Sequence, residues 1–273
     1  MIYRFKNTEL SFDSPKIMGI LNVTPDSFSD GGKYFTIAEA VNYALQMIDE
    51  GADIIDIGGE STRPGSQPVA VGDEIKRTIP VIKKILQLRK ETIISIDTTK
   101  SETAMQALDY GACIINDISG LTFDARMIDI AKQFNAGVVI MHINGSPATM
   151  QDNPHYVDVV SEVYEFLRKQ TAAAITQGIE KIIIDPGIGF GKRVEDNFEL
   201  IKRIEEFNTI GKPVMIGLSR KSFIGKELNL NIDERDVATV ILETAAVVKS
   251  AKIIRTHNVK YCNQMVNLVT KIL

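Results

Sequence analysis

The chain has 273 residues, 44% of them hydrophobic and 24% charged, with a formal net charge of −4. A folded chain of this length buries about 75% of the surface its unfolded form exposes, so it needs no disulfide or metal staple. No apolar run approaches the ~18 residues that would cross a membrane, the charge-broken start M-I-Y-R-F-K is not a signal peptide, and the acidic balance argues against nucleic acid as a partner.

Cys113 and Cys262 are the only cysteines. Two isolated thiols make no disulfide framework, and the expected compartment is the cytoplasm. An anionic ligand would need a local cluster of Lys and Arg.

In chain order, residues 1–14 read as a small β-hairpin with its turn near Asn7 and Thr8. Its expected role is to close the bottom of the fold built by the rest of the chain. After Pro15, short apolar runs alternate with amphipathic helical stretches. The runs are 17–21, 54–57, 93–96, 113–115, 137–141, 182–184, 214–218 and 252–254. Their β-branched composition suits strands buried on both faces, as in a parallel sheet. Thr36 and Glu39 form a capping box at one helix start, and Gly51, Gly111, Gly137, Gly178 and Gly211 stand where a helix should end. The segment G-A-D-I-I-D at 51–56 echoes G-A-C-I-I-N at 111–116. There is no linker or compositional break, which predicts one domain over 1–273.

Eight βα units in about 250 residues are the size and period of an α/β TIM (β/α)8 barrel. An open doubly wound sheet is the alternative. It would carry a glycine-rich dinucleotide fingerprint after its first strand, and none is present. The stretch 187–192 also lacks the spacing of a phosphate-binding P-loop.

Every run ends in polar residues. Strand 1 gives Asn22, and strand 2 gives Asp56 followed by Ser61, Thr62 and Arg63. Strands 3 to 6 give Asp97, Asn116, His142 and Asp185 in turn. Strand 7 gives Ser219, Arg220, Lys221 and Ser222, and strand 8 gives Arg255 and His257. Some of these are helix caps, but caps need neither Arg, Lys nor His. The pattern predicts a polar ring around a barrel mouth. Asp97, Asn116, Asp185 and Lys221 suit a flat, nitrogen-rich heterocycle. Ser61, Thr62, Arg63, Arg255 and His257 suit a phosphate or diphosphate. Asn22 offers an oxygen to a hard cation such as Mg2+. Zinc is not expected, because the histidines lack ligand spacing and cysteine companions. A Ser-His-Asp hydrolase is not expected either, for want of a G-x-S-x-G elbow.

These ends carry a family resemblance. The blocks M-G-I-L-N-V-T-P-D-S-F-S-D-G-G (18–32), I-D-I-G-G-E-S-T-R-P-G (55–65), I-S-I-D-T-T-K (94–100), I-I-N-D-I-S-G (114–120), D-P-G-I-G-F-G-K (185–192), S-R-K-S-F-I-G (219–225) and R-T-H (255–257) resemble dihydropteroate synthase, in family order and through most of the chain. The resemblance implies a transferase of folate biosynthesis, the sulfonamide target. It joins 6-hydroxymethyl-7,8-dihydropterin diphosphate to p-aminobenzoate, with Mg2+, and acts as a homodimer. It places the pterin at Asp97, Asn116, Met141, Asp185 and Lys221, and the diphosphate at Thr62, Arg255 and His257, with the metal at Asn22. It places p-aminobenzoate at Phe28, Arg63, Pro64, Phe190, Lys221 and Ser222. Asp97, Lys221 and Arg255 are the expected catalytic groups. The loops 22–35 and 61–69 are expected to close over the substrates. Ile188 departs from the family's commoner aromatic residue. The rivals are a pterin-binding methyltransferase domain, which needs no diphosphate site, and a non-catalytic pterin-binding barrel.

Overall fold

The computed structural model describes residues 1–6, 8–24 and 36–273. Two short strands, β1 (Ile2–Arg4) and β2 (Glu9–Ser11), pair antiparallel as the expected hairpin. Eight parallel strands come next: β3 (Lys16–Asn22), β4 (Ile54–Gly58), β5 (Ile93–Asp97), β6 (Ile114–Asp117), β7 (Gly137–Met141), β8 (Ile182–Asp185), β9 (Met215–Gly217) and β10 (Ile253–Thr256). Their order is β8-β7-β6-β5-β4-β3-β10-β9. The bridge between Ile184 and Val214 joins the two ends, so the sheet closes on itself as a barrel. All eight apolar runs became strands, each within a residue or two of its expected bounds.

Helices α1 (Ile37–Asp49), α2 (Val71–Leu88), α3 (Ser101–Asp109), α4 (Met127–Gln133), α5 (Val159–Thr176), α6 (Val194–Lys202), α7 (Ser222–Leu228), α8 (Asp236–Val248) and α9 (Val259–Val269) pack outside. The Thr36–Glu39 capping box forms as expected: Thr36 Oγ1 accepts from Glu39 N at 3.2 Å, and Thr36 N donates to Glu39 Oε2 at 2.8 Å. Gly51, Gly111, Gly178 and Gly211 take left-handed conformations at helix ends. Gly137 does not. It opens β7, and Asn135 makes the left-handed turn after α4 in its place (φ +52°). A Cβ on Gly137 would come within 3.3 Å of both Ile114 and Phe5. Its smallness therefore serves packing between barrel and hairpin.

Side chains alternate along a strand, so one in two points into the barrel. The lowest inner layer is apolar: Met18, Ile54, Ile93, Ile114, Val139, Ile183, Met215 and Ile253 cluster with Tyr3, Leu10 and Phe12 of the hairpin. Tyr3 Oη donates to the Ile182 carbonyl at 2.6 Å, pinning this plug. The bottom is thus sealed, and only the carboxyl ends of the strands are open to a ligand.

One buried group sits outside the barrel wall. Glu243 on α8 is fully buried. Burial outweighs the help that Thr256 and Cys262 give its ionised form, and pushes the carboxyl up to about 8. The folded state therefore holds a proton that the unfolded chain releases near its ordinary value of about 4.3. Stability should fall as pH rises from about 4 through 8. Glu243→Gln should remove that fall, leaving the variant more stable than the parent at pH 9 by the order of a few kcal/mol. Thermal unfolding at acid and alkaline pH measures this, and a parallel pH response in both proteins would refute it.

Candidate active site

Strand register brings the polar ends together. Asn22, Gly58, Asp97 and Asn116 are successive partners across β3, β4, β5 and β6. Partnered residues point to the same side, so all four face inward. Met141 pairs with Asp185, and Gly217 with Arg255. Glycine at 217 leaves open the space that a side chain would fill. The result is a narrow slot lined by Asp97, Asn116, Met141, Asp185, Lys221 and Arg255, with Ile188 and Phe190 at its edge.

The slot is acidic at its base. Asp56, one alternation below Gly58, is completely buried. Its Oδ2 accepts from Arg255 Nε at 2.6 Å and from Asn116 Nδ2 at 2.8 Å. Arg255 Nη2 also donates to Asp97 Oδ2 at 2.8 Å. Desolvation pushes Asp97 up to about 7 against the pull of Arg255, with Asp56 adding to the rise. Burial also raises Asp185, whose Oδ1 accepts from Gly187 N at 2.7 Å. Asn116 Oδ1 is buried with no protein partner among the described residues. It is an acceptor placed for an N–H that a ligand would bring. Lys221 is pushed down to about 8 by burial and by Arg255. Its Nζ stands 4.1 Å from the centre of the Phe190 ring.

A wider basin adjoins the slot, lined by Asn22, Ser61, Thr62, Arg63, Ser219, Arg220, Ser222, Arg255 and His257. His257 Nδ1 lies 2.9 Å from Ser219 Oγ. Burial, then Arg255, Arg220, Arg63 and Lys221, push His257 down to about 3. The neutral imidazole is favoured there, which suits His257 to a hydrogen-bonding role. Arg63 and Pro64 are exposed at the rim.

The pterin binding enzyme family matches residues 18–257. The dihydropteroate synthase of Escherichia coli is 44% identical over 257 residues, covering 93% of this chain and 90% of that one. The chain belongs to the dihydropteroate synthase family. The structure of the Yersinia pestis dihydropteroate synthase in a sulfonamide drug complex superposes with a TM-score of 0.95 at 35% identity, over 100% of this chain and 99% of that one. The Xanthomonas albilineans dihydropteroate synthase with 4-aminobenzoic acid gives 0.90 at 39% identity, covering 97% and 95%.

Residues that the dihydropteroate synthase resemblance implies for the pterin, Asp97, Asn116, Met141, Asp185 and Lys221, line one slot. Thr62 and Arg255 line both slot and basin. Asn22, Arg63, Pro64, Phe190, Ser222 and His257 surround the basin. Phe28 lies outside the described residues, as do positions 25–35 of the first loop expected to close. The second loop, 61–69, is tied at its roots: Glu60 Oε2 accepts from Val69 N at 2.7 Å and from Lys100 Nζ at 2.5 Å, and Lys100 also donates to the buried Glu74 at 2.7 Å.

Sequence alone marks Asp56 as a strand-end acid and gives it no role. The signal is present in I-D-I-G-G: an acid flanked by isoleucines is costly to bury as an anion unless a cation partners it. Asp56→Asn keeps the shape but removes the charge that holds Arg255. It should cost about 2 kcal/mol of transition-state stabilisation, roughly a thirtyfold loss in kcat/KM. Steady-state kinetics on a variant of normal melting temperature is the measurement, and an unchanged kcat/KM would exclude the anchoring role.

Proposed function

We propose that the chain condenses 6-hydroxymethyl-7,8-dihydropterin diphosphate with p-aminobenzoate, forming 7,8-dihydropteroate and diphosphate. One observation carries this reading. An acid- and amide-lined slot opens into a cation-lined basin, and Thr62, Phe190, Lys221 and Arg255 line both. A heterocycle in the slot would direct its ring N–H and amino groups at Asp185 and Asn116 Oδ1, and its carbonyl or ring nitrogen at Lys221. Its methylene diphosphate would then reach Arg255, Thr62 and His257.

From there the chemistry follows the charges. Negative charge grows on the departing diphosphate, and preorganised donors aimed at it favour that step. Positive charge left on the pterin methylene delocalises into the ring, where Asp97 and Asp185 stabilise it. The aryl amine, held between Phe190 and the Arg63–Pro64 rim with Ser222 nearby, then attacks the methylene carbon and loses a proton. An aryl amine is nucleophilic at neutral pH, so no strong base is required.

The donor set fits Mg2+. Asn22 contributes an amide oxygen beside Gly58, and among the described residues no cluster of three His, Cys, Asp or Glu side chains competes for a metal. A cation held by one protein oxygen completes its shell with water and diphosphate oxygens, as Mg2+ prefers. When bound, it would neutralise charge on the leaving group.

Arg255→Lys keeps the charge but cannot span Asp56 and Asp97 together. Diphosphate release on mixing both substrates with Mg2+ should fall about a hundredfold, while binding of the pterin diphosphate weakens far less. Equal losses in both would remove Arg255 from the leaving-group role, and a chelator without effect on the parent would remove the metal.

We also propose that the protein is a homodimer. On α8, Val237, Ile241 and Val248 are 69%, 62% and 50% exposed along one helix face. An apolar stripe of this kind is covered in an oligomer more often than left in water. Light scattering should give twice the chain mass, and Ile241→Glu should halve it. A parent that runs as a monomer at micromolar concentration would refute the dimer.

A further inference from the structure

Loop 186–193 carries Phe190 to the slot, yet it bends through three left-handed glycines, Gly187, Gly189 and Gly191 (φ +70°, +83° and +66°). Such a backbone is loose unless its polar groups are held. Several are. Gln151 Nε2 donates to the Gly189 carbonyl at 2.8 Å, and Tyr156 Oη donates to the Gly191 carbonyl at 2.7 Å. Asn197 Oδ1 accepts from Gly189 N at 2.6 Å.

The Phe190 carbonyl is held differently. Its partner is Lys192, whose Nζ lies 3.0 Å away and which is 3% exposed. Two further acceptors surround the same nitrogen: His142 Nδ1 at 3.0 Å and the His142 carbonyl at 3.4 Å. Three acceptors match the three protons of an ammonium. Burial and the charge of Lys192 push His142 down to about 2, so the imidazole is neutral and its Nδ1 can accept. Lys192 itself is pushed down to about 7 by burial, with Asp185 and Asp196 favouring its charge and Lys221 opposing it. No carboxylate forms an ion pair with it among the described residues. A buried cation without one is costly. A loop staple does not require that cost, because Gln151 and Tyr156 staple the same loop with neutral groups.

What sets Lys192 apart is what it joins. The Phe190 ring covers Lys221, and His142 follows Met141 in the slot wall. We propose that Lys192 is a positioning residue for the amine substrate: it ties the Phe190 carbonyl to the end of β7, and so sets the height of the Phe190 ring over Lys221. Phe190 lines the basin that an aryl group would enter, so the residue acts on p-aminobenzoate through Phe190 without touching either substrate.

The proposal rests on the condensation reaction, and diphosphate release by the parent enzyme is the control for that assignment. Given that release, Lys192→Met should raise KM for p-aminobenzoate about tenfold or more, with kcat within about threefold and pterin diphosphate affinity within about twofold. Phe190→Ala should raise the same KM, and combining the two substitutions should add little further, because both act through one ring. Should Lys192→Met not fold, Lys192→Leu, which likewise removes the donor, takes its place with the same expected outcomes. A flat aminobenzoate KM, an equal loss of pterin affinity, or fully additive effects with Phe190→Ala would each overturn the proposal.

Discussion

The Arg255 guanidinium, strung between two buried carboxylates, is the contact on which the rest of the mouth depends. Asp56 and Asp97 face the same barrel interior on neighbouring strands, and Asp185 faces it from β8. Without a counter-charge, these acids would stay protonated or push the barrel apart. A planar fork serves both Asp56 and Asp97, at 2.6 and 2.8 Å, from two nitrogens held in a fixed geometry. Even so, desolvation wins at Asp97, which rises to about 7. Its ionised form is disfavoured there. A ligand that brings N–H donors into the slot would therefore favour the carboxylate. Binding and ionisation are coupled there, and the ring that donates the hydrogen bonds also gains a nearby negative charge.

The same constraint separates the two halves of the chemistry. Groups on strand ends point inward, are short and are nearly immobile; these are the acids and Asn116. Groups on the loops beyond the strands are longer and more exposed, as Arg63 shows. The heterocycle is thus read by rigid elements, and the flexible leaving group meets residues that have room to adjust. Arg255 belongs to both sets because it is a long side chain rooted in β10. His257, two residues further on, is held neutral by burial and by the cations around it, so it can donate a hydrogen bond to an anion without adding to the repulsion among them.

Much of this is legible in the sequence, and for specific reasons. Parallel strands buried on both faces must be continuous β-branched runs, and eight such runs stand out. A strand-end polar group beyond a run has nowhere to go but the rim, so Asp97, Asn116 and Asp185 can be placed before any geometry is known. Other features need register. Asp56 lies inside its strand, and only the alternation of β4 shows that it faces inward beneath Asn116 and beside Arg255. Gly217 matters for an absence of side chain, which sequence alone does not connect to a cavity. Gly137 stands where a helix-ending glycine is expected, but Asn135 can adopt the left-handed turn, and the glycine answers to Phe5 of the hairpin instead. Lys192 looks like part of a glycine-rich loop, and nothing local reveals that its amine turns inward to His142.

These observations converge on where precision in the mouth comes from. Among the described residues, the rim stretches 61–69 and 186–193 are rich in glycine and proline and contain no helix or strand. Their roots, however, are fixed by buried or half-buried ions. Lys100 ties Glu60 to Glu74 at the base of 61–69. Arg220, itself left-handed at φ +56°, pairs bidentately with Asp236 at 2.7 and 2.9 Å beside Lys221. Lys192 does the equivalent below Phe190. Each anchor lies a few residues from a side chain that faces the ligand and does not itself need to touch it. A charged anchor costs desolvation but fixes direction, whereas an apolar one would be cheaper and looser. A barrel that must align a departing diphosphate with an incoming amine has reason to accept that cost, because an error of about 1 Å in placing the reacting groups can lower rate a hundredfold.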